Sequence, residues 1–103
     1  MSLVQATIEL PGQLDSVSLL DAWLRDQTTR AGTNAAVVGD MRLCLAEVVT
    51  NIVSYGSAAP ESLRVTVRLT ADASHIAAEI EDNSFRFNPL ARPAAEKITS
   101  LAD

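Results

Sequence analysis

Leu43-Cys44-Leu45-Ala46-Glu47-Val48-Val49-Thr50-Asn51-Ile52-Val53-Ser54-Tyr55-Gly56 reads as a helix seated on a hydrophobic core. The reading extends upstream, because Val37, Met41, Leu45, Val48 and Ile52 recur every three or four residues. Asn34 is suited to cap the start of this helix, and Gly56 to end it. Residues 43–53 are apolar on more than one face, which predicts deep burial. Glu47 and Asn51 are four residues apart and share one face of that helix. Tyr55 follows at the same interval and drifts toward the side. A buried carboxylate and amide cost free energy unless satisfied. A structural hydrogen bond would satisfy them, and so would a cleft holding water, metal and ligand. Spacing alone leaves both readings open.

Toward the N-terminus, Val4, Ala6, Ile8 and Leu10 alternate with polar residues, as in a half-buried strand that Pro11-Gly12 ends. Val17, Leu19, Leu20, Trp23 and Leu24 then recur at helical spacing, and Gly32 is a natural C-terminal cap. Ser18 followed by Asp21 resembles an N-terminal capping pair for this helix. Toward the C-terminus, Leu63, Val65, Val67 and Leu69 alternate with Arg64, Thr66, Arg68 and Thr70 in the clearest strand of the chain. Ala71-Asp72-Ala73-Ser74 forms a turn, and Ile76, Ala78 and Ile80 mark a partner strand. The pair is expected to be an antiparallel hairpin with one wet face. Beyond Asp82 the pattern breaks, and residues 91–103 carry a weak helical pattern through Ala95, Ile98 and Leu101. This order predicts a single α/β (α+β) domain over residues 1–103. It is a two-layer sandwich with helices on one face of a mixed, largely antiparallel sheet.

The chain of 103 residues has a formal net charge of −5. An acidic domain repels phosphate backbones, so nucleic acid is not an expected partner. No Lys/Arg cluster suits a membrane surface. No apolar run is long enough to cross a bilayer, and residues 1–5 do not read as a secretory signal. The expected location is the cytoplasm. The single cysteine, Cys44, reads as a small buried hydrophobe, and the single histidine, His75, as a surface residue. There is no nucleophile elbow, no Walker A loop and no dinucleotide fingerprint.

Asp82 stands where a strand ends, and strand ends commonly supply ligand contacts. An ionised Asp accepts hydrogen bonds and donates none, so it suits an exocyclic amino group such as that of adenine. Taken alone, Asp82-Asn83 reads first as a turn-forming pair.

Glu47-x-x-x-Asn51-x-x-x-Tyr55-Gly56 followed by Asp82-x-Ser84-x-x-Phe87-Asn88-Pro89 resembles a known pair of motifs. They look like the N box and first glycine box of the GHKL (histidine-kinase-like) ATPase superfamily. The closest branch is that of the anti-sigma-factor serine kinases, or anti-sigma regulatory factors. The resemblance covers nearly the whole chain and implies the Bergerat fold. It implies an ATP-dependent serine/threonine protein kinase that regulates a sigma factor by partner switching with an anti-sigma antagonist. A homodimer is implied as well. By the same resemblance, Asn51 holds a magnesium ion and Glu47 accepts the proton of, or orients, the attacking hydroxyl. Asp82 accepts a hydrogen bond from the adenine amino group. Phe87 packs beneath the site, Asn88-Pro89 starts the lid, and Tyr55 and Ser84 are further pocket candidates.

Two departures bear on function. Ser84 stands where the family has glycine, which permits unusual backbone angles and close approach of a ligand. No glycine follows Gly56, whereas the family continues to a Gly-rich second box that cradles the phosphates. The C-terminal lid, helix and strand of the fold are therefore expected to be shortened or lost, leaving an open sheet edge. The alternative function is a non-catalytic interaction module of the same fold.

Overall fold

The computed structural model describes residues 3–55, 62–83 and, as backbone, 95–102. The elements run β1 (Val4–Pro11), α1 (Asp15–Ala31), α2 (Ala35–Tyr55), β2 (Arg64–Ala71), β3 (His75–Asp82) and β4 (Ala95–Ala102). The strands form one sheet in sequence order, and every described pairing is antiparallel. Both helices lie on one face, giving a two-layer α+β sandwich.

The layers follow from the alternation of the strands. Val65, Val67, Leu69 and Ala71 of β2 face the helices and are buried, as are Ile76, Ala78 and Ile80 of β3. From the helices, Leu20, Leu24, Val37, Met41, Leu45, Val49 and Ile52 meet them. Aliphatic side chains thus fill the core, and Trp23 only packs against its margin. On the wet face, the Arg68 guanidinium donates to the Glu79 carboxylate and lies 3.5 Å from Glu81. The bond to Glu79 raises the Arg68 pKa further above its ordinary value.

The caps are local chemistry. Asn34 Oδ1 accepts from the N–H groups of Ala36 (2.8 Å) and Val37 (3.4 Å), so it caps α2 as its residue type predicts. Gly32 ends α1 in the left-handed region at φ 67°. Asp72 Oδ1 accepts from Ser74 and His75 N–H and closes the β2–β3 turn.

Several expectations need correction. α1 starts at Asp15, before the Ser18/Asp21 pair, and no side chain caps it. Asp15 in the first turn favours the helix dipole. The Ser16 hydroxyl instead donates to the Pro11 carbonyl at 2.6 Å and anchors the helix start to β1. Asp21 pairs with Arg42 across the two helices. Leu19 stands 56 % exposed, outside the apolar stripe. Residues 95–102 form a strand on β3 where a weak helix was expected. Pairing with the otherwise open β3 edge satisfies a row of backbone groups, which outweighs a marginal helical pattern. Gly56 and Ser84 to Pro89 fall outside the described residues.

Candidate functional site

α2 is one-sided. Leu45 is 1 % exposed and Leu43 65 % exposed, so the run 43–53 is not buried on all faces as its composition suggested. Glu47, Thr50 and Asn51 lie on the exposed side. The desolvation cost that made a buried Glu47–Asn51 pair a puzzle is therefore small. Among the described residues neither side chain makes a hydrogen bond or ion pair. Both line a depression of about 360 Å³ together with Ala46 and Thr50. Carboxylate, hydroxyl and amide oxygens thus sit at i, i+3 and i+4 on one surface.

Asp82 is placed differently. It ends β3 on the helix-facing side at 3 % exposure, opposite Val65 on β2 and Ala95 on β4. A carboxylate buried to this degree must be hydrogen-bonded or paired, and Asp82 is not left without an interaction. It is not the exposed member of a turn.

The two parts of the site share one end of the domain. Asn34 N–H donates to the Ala73 carbonyl at 2.8 Å, and the Thr33 hydroxyl to the Asp72 carbonyl at 2.7 Å. These bonds tie the start of α2 to the β2–β3 turn. Rise per residue carries Asn51 about 24 Å from Ala35 along α2, and Asp82 about 23 Å from His75 along β3. α2 packs on β3 and buries residues along its length. Glu47, Asn51 and Asp82 accordingly lie toward the end remote from that turn.

Asn83 and Gly12 build this end and were not singled out by sequence. Asn83 bonds both to Arg64 and to Ser62 at the entry to β2. Gly12 N–H donates to the Leu63 carbonyl at 2.8 Å. A Cβ on Gly12 would overlap the buried Leu63 side chain, so glycine is needed for the approach. The Pro-Gly and Asp-Asn pairs were the available signals, and both read simply as turns. Cys44 and His75 are half-buried and belong to no candidate metal cluster among the described residues. The Tyr55 side chain, Ser84 and Phe87 fall outside the described residues.

Other depressions lie elsewhere on the surface. One of about 490 Å³ lies on the wet sheet face, where Arg68 and Glu79 already satisfy each other. One of about 280 Å³ lies between the helices beside the Arg42–Asp21 pair.

Two helices thus lie on one face of an antiparallel sheet, with polar oxygens on α2 and a buried carboxylate at the end of β3, in a two-layer α+β arrangement. The sequence matches the family described as histidine kinase-like ATPase domain over residues 10–102, and the chain belongs to that family. Comparison with curated proteins gave no significant match. None of the described helices is long and apolar enough to cross a membrane.

Proposed function

We propose that the domain binds ATP with magnesium and acts as an anti-sigma-factor serine/threonine protein kinase, controlling a sigma factor by partner switching. The observation that carries this reading is the common end of the domain shared by Glu47, Asn51 and Asp82, within a histidine kinase-like ATPase domain. Asp82 accepts from the exocyclic amino group of adenine. Asn51 holds magnesium through its side-chain oxygen. The donor set fits, because magnesium takes one or two protein oxygens and keeps several waters, so no three-ligand cluster is needed. When bound, the ion neutralises charge on the phosphates. Glu47 orients the attacking hydroxyl of the protein substrate and accepts its proton. Its exposure leaves room for a protein partner to approach. Tyr55, Ser84 and Phe87 are further residues proposed to serve nucleotide binding, and a homodimer in the cytoplasm is the expected working form.

Transfer of the terminal phosphate of labelled ATP to a serine of an antagonist protein tests the kinase. Glu47→Gln is expected to abolish transfer while magnesium-ATP affinity stays within about twofold. Equal transfer by wild type and variant would remove Glu47 from the chemistry.

A second reading has its own support. Ser84, standing where the family has glycine, favours an interaction module that keeps the fold without turnover. Phosphoryl transfer by the purified wild-type domain rules this reading out.

A further inference from the structure

In an antiparallel ladder, a hydrogen-bonded pair exchanges two main-chain bonds. Val65 and Asp82 form a non-hydrogen-bonded pair, and Arg64 and Asn83, the next step along, stand where a hydrogen-bonded pair falls. Only half of the exchange is made by the main chain: Asn83 N–H donates to the Arg64 carbonyl at 3.2 Å. The return bond runs from Arg64 N–H to Asn83 Oδ1 at 2.6 Å. The amide side chain takes the place that the Asn83 main-chain carbonyl would hold in a continuing ladder. Its Nδ2 then donates to the Ser62 carbonyl at 2.9 Å, two residues before the start of β2.

Asn83 therefore grips Ser62 and Arg64 from one side, while Gly12 grips Leu63 from the other. Asp82 is the adjoining residue and the last of β3, so the bonds that hold Asn83 bear directly on its free end. We infer that Asn83 is a positioning residue, whose amide ends the β2–β3 ladder and sets the place of the Asp82 carboxylate for base recognition. The inference rests on the reading of Asp82 as the acceptor for the adenine amino group. Only asparagine supplies an acceptor and a donor at this reach. Aspartate keeps the acceptor for Arg64 and loses the donor to Ser62. Alanine loses both. The clamp is solvent-exposed, so water replaces the lost bonds and the domain is expected to stay folded.

The test compares magnesium-ATP with magnesium-ITP by calorimetry on the full chain. Inosine carries an oxygen where adenine carries the amino group, so the exocyclic position no longer donates to Asp82 and meets it acceptor to acceptor. Wild type is expected to prefer ATP by about tenfold or more. Asn83→Ala is expected to cut that preference at least about threefold, and Asn83→Asp to fall between. A general loss of stability lowers both affinities together and leaves the ratio unchanged. Wild type that prefers ATP, with both variants keeping the full ratio, overturns the clamp alone. Wild type with no preference overturns the Asp82 reading and the clamp with it. Should Asn83→Ala fail to fold, the ratio for Asn83→Asp decides.

Discussion

Asp82 and Gly12 are each defined by what surrounds them more than by what they are. Asp82 was legible as a strand-end acceptor, but its burial was not, because a charged residue before an asparagine reads as an exposed turn. Its face follows from register, since it lies two residues beyond the buried Ile80 on the same side of β3. Glu47 and Asn51 were legible as a pair from their spacing, whereas their exposure was misjudged. The error came from Leu43, an apolar residue on the solvent side that made the run look buried all round. Gly12 makes a prediction at this scale. Gly12→Ala should destabilise the domain by about 1–3 kcal/mol, because the added methyl group displaces Leu63 from its packed position. Urea denaturation measures it, and an unchanged midpoint would contradict the close approach of the two residues.

The helices and strands carry their own consequences. α2 is held by one apolar stripe and one cap. Leu45→Ala should cost about 2–5 kcal/mol, as the loss of a buried leucine does. Leu43→Ala, two residues away on the exposed side, should stay within about 0.5 kcal/mol. Equal losses in chemical denaturation would mean that α2 is buried on both sides after all. Asn34→Ala should cost about 1 kcal/mol through loss of the bonds to Ala36 and Val37. An unchanged denaturation midpoint would show that the cap contributes nothing. β1, β2, β3 and both helices were legible from periodicity and punctuation. β4 was not, because Ala95, Ile98 and Leu101 mimic a helical stripe in a segment too short to choose for itself. Its state is decided by the waiting edge of β3, a non-local partner that no window of sequence reveals.

For the whole molecule, the order of strands leaves β1 at an edge of the sheet. Gly12 N–H bonds to Leu63 in register with the β1–β2 pairs, which sets the parity of the ladder. Val4, Ala6, Ile8 and Leu10 turn their backbone groups toward β2, and Gln5, Thr7 and Glu9 turn theirs outward. In the monomer, the amides of Thr7 and Glu9 should exchange with solvent faster than those of Ala6 and Ile8, measured by hydrogen exchange with NMR detection. Protection of the outward set that grows with protein concentration would identify this edge as the contact between two chains. Uniform protection at high dilution would contradict the exposed edge. The two-layer architecture was legible in the order of elements, and the one-ended arrangement of the site was not. That arrangement depends on the bonds of Thr33 and Asn34 to the β2–β3 turn, which align α2 with β3 across a long sequence separation.

The central claim is that Asn51 on α2 and Asp82 at the end of β3 bind one magnesium nucleotide between them. Calorimetric titration of magnesium-ATP into wild type, Asn51→Ala and Asp82→Ala, each checked for native circular dichroism, tests it most directly. Wild type is expected to bind, and each variant to lose about tenfold or more in affinity. Folded wild-type protein that gives no binding heat with nucleotide in the millimolar range, or variants that bind as wild type does, would contradict it.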